Sequence, residues 1–248
     1  MTLYYIHLGL DYNDYILNDN ELRFEFQKHT NFIDDYFSKA VRKHRFITDG
    51  TFKMIAVSPT EFGIKPNRIV PTDVLEVNVP FDRKRYEEVK GSEDFNYYLE
   101  LLEQGFKKAS NSKEIPLDIL LNLIKEFKEG GCKNEWLHKK KQFKKNDLEV
   151  KLICEFTTNY FQLKISISQI STKKELINGI IAQTEPGNSI HEGLFKDIII
   201  DKDIIITDKA DAPRFEISIN KALEGKLKYK VFGDKELKEI LSYRLKNS

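Results

Sequence analysis

The spacing of apolar side chains changes period several times along the chain, and each change predicts an element. Residues 3–10 are an aromatic and aliphatic run with His7 inside it, read as a first strand that ends at the turn signal Asp11-Tyr12-Asn13-Asp14. Residues 21–27 alternate strictly, with Leu22, Phe24 and Phe26 on one side and Glu21, Arg23, Glu25 and Gln27 on the other. That pattern predicts a half-buried antiparallel strand. From Asn31 the period becomes helical through Phe32, Ile33, Tyr36, Phe37, Ala40 and Val41. Asp34 and Asp35 stand in its first turn and Arg42, Lys43 and His44 in its last, where the helix dipole favours each sign. Strands are predicted at 51–57 and 74–79, with a Gly- and Pro-containing connection over 58–71.

The middle of the chain reads as helical. A charged turn or two begins near Asp82, and Phe95, Tyr98, Leu99, Leu102 and Phe106 then form a stripe at 3.6 spacing through residue 108. Pro116 suits the first turn of the next helix, Leu117, Leu120, Leu121, Ile124 and Phe127 mark its buried face, and Gly130-Gly131 supply a left-handed stop. The short link at 110–113 favours an antiparallel helical hairpin. After a basic stretch at 138–145 the period returns to two. A hairpin is predicted from 148–156 and 160–167 about Thr157-Thr158-Asn159, and further strands at 180–183, 198–206 with a turn at Asp201-Lys202, 215–219 and 227–232. A short closing helix is capped by Asp234 and turns Leu237, Ile240 and Leu241 inward.

Strands and helices do not alternate regularly, which argues against a doubly wound nucleotide-binding fold. The fold class that follows is α+β: mainly antiparallel sheets with a central helical hairpin and a short C-terminal helix. We read residues 1–248 as a single globular unit. The nearest thing to a boundary is the polar stretch 133–147, which would separate a mixed α/β half at 1–132 from a β-rich half at 146–248.

Composition narrows the function classes. With 40 Lys and Arg against 39 Asp and Glu, the net charge of +1 provides no overall field toward nucleic acid or membrane. The two cysteines, Cys132 and Cys154, are too few for a disulfide framework, and no signal peptide or membrane-length apolar run is present. A reduced, cytoplasmic setting is therefore expected. The richness in Lys, Ile, Asn, Phe and Tyr fits an AT-rich genome.

Two segments carry candidate chemistry. In residues 130–138 Cys132 would be a nucleophile activated by His138, with Asn134 or Glu135 orienting the imidazole; the competing reading is a helix cap followed by a surface segment anchored by Trp136. In residues 184–193 Ser189, His191 and Glu192 lie close in sequence, but the glycine-flanked serine elbow of hydrolases is missing. The catalytic candidates are thus Cys132, His138, His191 and Glu192. Trp136 with Lys139, Lys140, Lys141, Lys144 and Lys145 forms the candidate binding set, suited to phosphates or to an acidic protein surface. Cys154 reads as a small buried strand residue, and His29 and His44 flank the first helix. Glu135 and His138 have a metal-ligand spacing without a second copy, and no phosphate-binding glycine signature occurs, so no metal and no cofactor are expected. Asp11, Asp14, Asp34 and Asp35 are carboxylates that folding would have to bring together to hold a cation or work on a glycoside.

The reading that follows is a non-catalytic protein-binding module, because Tyr and Phe supply interface anchors while the usual chemical motifs are missing. Its form would be a bacterial inhibitor of the immunity or antitoxin type, acting by surface complementarity. The alternative is a hydrolase or transferase with a dispersed His, Cys and carboxylate site. The third reading is a nucleic-acid-associated protein that uses the lysine run.

Overall fold

The computed structural model describes residues 1–186 and 193–241, and the chain divides into two compact units, Met1–Asn134 and Glu135–Ser248. The described residues form an α+β structure of twelve strands and seven helices, with predominantly antiparallel pairing. None of the helices among the described residues is long and apolar enough to cross a membrane.

The first unit contains β1 (Tyr5–Leu8), α1 (Tyr12–Asn18), α2 (Asn20–His44), β2 (Met54–Thr60), β3 (Arg68–Val70), β4 (Val74–Pro80), α3 (Arg83–Val89), α4 (Asn96–Ser110) and α5 (Leu117–Glu129). Its sheet has the order β1-β2-β4-β3. The first three strands pair in parallel and β3 antiparallel to β4. This parallel core is the exception in a structure whose pairing is otherwise mostly antiparallel. The register His7–Ala56–Glu76 puts these three side chains on one face, and Leu8–Val57–Val77 puts the next three on the other. The apolar face meets α4 at Gly105, where a Cβ would overlap the Val57 methyls. Beneath α2, α4 and α5 lies an aromatic core that includes Phe26, Phe37, Tyr86, Tyr98, Phe106 and Phe127, all essentially buried.

Residues 21–27 are helical, which corrects the strand expected there. Leu22 and Phe26 are four apart, so the same two anchors satisfy alternation and a helical stripe alike. The stripe continues through Ile33, Phe37 and Val41, while Phe24, which alternation would bury, is 55% exposed. Asp19 fixes the start of the helix by accepting a bond from the Leu22 amide at 3.1 Å. The predicted α4–α5 hairpin is present, with Gly131 and Cys132 both in left-handed conformations after α5.

The second unit begins along β5 (Asn134–Phe143), so most of the stretch read as a polar boundary is a strand. β6 (Leu148–Phe156), β7 (Phe161–Gln169) and β8 (Glu175–Thr184) complete a sheet ordered β5-β6-β7-β8. The predicted hairpin is β6–β7, closed by the Thr157 amide on the Tyr160 carbonyl at 2.9 Å. A second sheet, β12-β11-β10-β9, is antiparallel throughout and consists of β9 (Asp197–Ile200), β10 (Ile204–Thr207), β11 (Pro213–Ile217) and β12 (Tyr229–Val231). Phe195 links the two sheets, stacked on Phe161 with centroids 6.5 Å apart and lying 6.0 Å from Phe215. Two short helices, α6 (Ile219–Leu223) and α7 (Lys235–Leu241), follow, and Asp234 caps α7 at Leu237 as predicted.

Candidate functional site at the carboxyl edge of the first sheet

Strand β1 is a sheet edge, and its outward backbone groups need partners. Side chains of α2 supply them in regular order. Asp34 Oδ1 accepts from the Leu8 amide at 2.9 Å, Ser38 Oγ accepts from the Ile6 amide at 3.0 Å and donates to the Ile6 carbonyl, and Arg42 Nε donates to the Tyr4 carbonyl at 3.1 Å. The helix steps by four residues where the strand steps by two. Four helical residues rise about 6 Å and two strand residues about 6.6 Å, so the two lattices stay in register. Helix α2 thereby takes the place of a neighbouring strand.

This ladder places a His–carboxylate pair at the carboxyl end of β1. Asp34 Oδ2 lies 2.7 Å from His7 Nδ1 and 3.3 Å from Gln27 Nε2. The Asp34 side chain is 6% exposed and that of His7 38%. Burial alone would pull the imidazole below its usual range, but the charge and hydrogen bond of Asp34 more than reverse this and leave it raised. The other ring nitrogen, Nε2, is turned toward Gly9, where a Cβ would crowd both His7 and Gln27.

A second polar cluster occupies the carboxyl ends of the neighbouring strands, the place where parallel sheets commonly put ligands. Asp11 is fully buried; its Oδ1 accepts from the Asp14 amide at 3.0 Å and its Oδ2 from Asn78 Nδ2 at 2.8 Å and Lys65 Nζ at 3.1 Å. Asp14 takes the same ammonium at 2.9 Å and the Thr60 hydroxyl at 2.7 Å. Burial would raise the Asp11 carboxyl, yet the Asp14 amide, Asn78 and Lys65 hold it below its ordinary value. Lys108 Nζ closes the cluster from α4 on the Lys65 and Asn78 carbonyls, both at 2.8 Å. Beside it Arg83 bridges Asp19 at 2.8 Å and Glu61 at 3.0 Å. Where Asp11 and Asp14 converge, a lysine ammonium stands in the position a bound cation would take.

Around these charges lies an apolar rim. Tyr12 and Leu17 of α1, Phe24 of α2, and Phe62 and Ile64 of the β2–β3 connection are all about half exposed or more, and Leu17 reaches 88%. The Arg23 guanidinium lies 5.2 Å from the Tyr12 ring centre and 4.3 Å from that of Phe24, and Tyr15 joins Phe62 edge-on at 5.4 Å.

The catalytic and binding candidates of the two polar segments fall elsewhere. Cys132 sits half-buried after α5 in the first unit, its thiol pushed up by burial, with Lys128 and Asp94 the charged groups that act on it. Asn134, a proposed orienting partner, donates instead to the Phe32 carbonyl and Asp35, both at 2.8 Å, and Glu135 meets Lys164. His138 is a residue of β5 in the second unit; its Nε2 lies 2.5 Å from the Phe195 carbonyl. Trp136 on the same strand contacts Phe161 at 6.3 Å. Alternation on β5 divides the lysine run: Lys139 and Lys141 reach Asp197 at 3.3 and 2.9 Å, and Lys140 reaches Glu149 at 3.0 Å. Both carboxyls are held down to about 2, against the pull of burial for Asp197 and chiefly by the Gln142 and Lys140 bonds for Glu149. Lys144 and Lys145 are exposed in a single 3-10 turn. His191 and Glu192 lie outside the described residues. Of the scattered carboxylates, Asp11 and Asp14 come together, while Asp34 takes His7 and Asp35 takes Lys39 at 2.5 Å.

No family model, curated protein or solved structure matches the chain. The site therefore has to be read from its own chemistry. Its polar centre is internally neutralised, its rim is apolar, and its one imidazole is tied to a buried carboxylate.

Proposed function

We propose that the protein is a protein-binding module whose docking face is the carboxyl edge of the first unit's sheet. The observation that carries this reading is the exposed rim of Tyr12, Leu17, Phe24, Phe62 and Ile64 around an arginine held between two aromatic rings. Apolar and aromatic anchors beside an arginine are the usual composition of interface hot spots. The rim is fixed in place: Thr60–Asp14 and Tyr15–Glu61 bonds, at 2.7 and 3.0 Å, tie α1 to the end of β2 and the residue that follows it. A preorganised face loses little entropy on binding. An inhibitor of the immunity or antitoxin type, working in the bacterial cytoplasm, would cover its target with such a face.

The test is affinity capture from cells of the source organism with the wild-type chain and with a Leu17→Ser, Phe24→Ser variant. Both positions are exposed, so the variant should keep the wild-type circular dichroism. A defined partner retained by the wild type and lost from the variant supports the reading. Retention of the same partner by both, or of none by the wild type, refutes it.

A catalytic reading has one observation in its favour. His7 and Asp34 are twenty-seven residues apart in sequence and meet at 2.7 Å, the arrangement by which a carboxylate orients a general base. Hydrolysis of a panel of chromogenic esters and phosphoesters that is abolished in His7→Gln would support a hydrolase; an unchanged background rate would exclude this site as its source.

A further inference from the structure

We propose that the contact between α2 and β1 is a proton-operated clasp, in which protonated His7 holds Asp34 on the Leu8 amide and deprotonation of His7 loosens the seam. The geometry has three parts. A single buried carboxylate serves the strand backbone, at Leu8, and the strand side chain, at His7, through separate oxygens. The same carboxylate belongs to the helix whose amino-terminal turns carry Arg23 and Phe24. Finally, the imidazole is 38% exposed, so its proton can exchange with solvent while Asp34 stays dry.

Asp34 is the charged group that acts on His7. On β1 itself Tyr5 lies two residues away beneath the Arg42 guanidinium, 4.8 Å from its ring centre. On β2 the register partner is Ala56, and the next strand presents Glu76, which Arg68 neutralises at 2.5 Å. From α2 the other polar neighbours are Gln27 and Ser38, which do not titrate. Helix α4 covers the opposite face, at Val57. While His7 carries its proton, the pair is neutral overall. Once the proton leaves, the imidazole can still donate through Nδ1, but Asp34 becomes a buried charge without a counterion.

The sign follows from the direction of the His7 shift. The Asp34 charge raises the imidazole's affinity for its proton, so over the range in which Asp34, itself raised by burial, is ionised, the clasp is present below the unfolded imidazole value and is lost as pH rises through the higher folded one. Its consequence for partner binding rests on the docking face proposed above, since the loosened helix bears part of that face.

The experiment is residue-resolved amide hydrogen exchange of the full chain from about pH 6 to pH 9, corrected for intrinsic base catalysis. Protection of the Leu8 amide should step down as His7 loses its proton, by a factor on the order of ten for each pH unit that separates the imidazole midpoint of the closed seam from that of the open one. In His7→Gln, which keeps a donor toward Asp34 but does not titrate, the step should vanish. A flat wild-type profile, or an identical step in His7→Gln, overturns the proposal. Should His7→Gln fail to fold, the wild-type imidazole resonances decide: a titration midpoint that does not coincide with the Leu8 step overturns it. None of these readouts involves a partner, so the clasp and the docking face fail separately.

Discussion

Replacing Asp34 by alanine strips the α2–β1 seam of the acceptor on which its carboxyl-end rung depends, and the cost can be worked out from two losses. The Leu8 amide, on a fully buried residue, loses its acceptor, and an unsatisfied buried N–H costs about 1–3 kcal/mol. His7 loses its counter-charge, but with its side chain 38% exposed, water takes over much of the solvation and this adds no more than about 1 kcal/mol. The sum is roughly 1–4 kcal/mol, above an ordinary surface change. Asp34→Asn keeps an oxygen for the Leu8 amide and should cost only about 1 kcal/mol. The assay is urea unfolding followed by far-ultraviolet circular dichroism, because the long helices α2, α4 and α5 all lie in the first unit, with Trp136 fluorescence following the second unit separately. A loss below about 0.5 kcal/mol for Asp34→Ala, the size of an exposed substitution, would refute the claim that α2 stands in for a strand.

Other expectations concern the rest of the first unit and the lysine strand. Lys65→Met leaves buried Asp11 and its neighbour Asp14 without their shared cation; because Lys65 is itself partly exposed, the loss should be about 1–3 kcal/mol in the same unfolding assay. Gly105→Ala drives a Cβ into Val57 and should cost about 1–3 kcal/mol, with the helix-propensity gain of alanine too small to offset it. Carboxyl-detected NMR should find Asp197 titrating near 2, its stabilising contribution present above the ordinary aspartate value and lost as pH falls through the folded one; Lys139→Gln with Lys141→Gln should move it upward. If the β5 lysines are spent on these pairs, retention on a heparin column should change little in the same double variant.

Much of the fold was legible from periodicity. The hairpins β6–β7 and α4–α5 combine a long stripe or strict alternation with a clear turn, so local pattern and tertiary outcome agree; the C-terminal helix keeps its Asp234 cap, but of its expected inward face only Leu241 is buried and Ile240 is exposed. The misread segment at 21–27 shows where such reasoning runs out. Leu22 and Phe26 occupy positions that are apolar in either period, and over seven residues only Phe24 distinguishes them. What decides it is the Asp19 cap and the continuation of the stripe across Asn31, which treating 31–44 as a separate helix concealed. The lysine run shows a different blind spot. Three of its charges read as part of a binding set because their partners, Asp197 and Glu149, lie on other strands, β9 and β6, to which spacing along β5 does not point.

The central pair was invisible for a related reason, but not without a trace. Along α2 a line of polar residues, Thr30, Asp34, Ser38 and Arg42, recurs every fourth position beside the apolar line Phe26, Ile33, Phe37 and Val41. A helix lying only on a sheet face needs one apolar stripe and tolerates anything beyond it. A helix that must also satisfy the edge of a strand needs a second stripe of hydrogen-bonding groups, spaced by four because a strand exposes its outward backbone groups every second residue. Thr30 shows where that stripe stops being useful: it is buried but bonds its own helix, at the Phe26 carbonyl, since β1 has ended at Leu8, the rung of Asp34. The length of the productive polar line thus matches the length of the strand it covers. Had the helix been recognised from Asn20 onward, the three rungs at Asp34, Ser38 and Arg42 would have predicted an exposed edge of about five residues, the span from Tyr4 to Leu8 that they occupy. His7 directly precedes Leu8, the last rung of that ladder, and its side chain meets the same Asp34, which is why the residue able to titrate and the residue that anchors the strand are side by side.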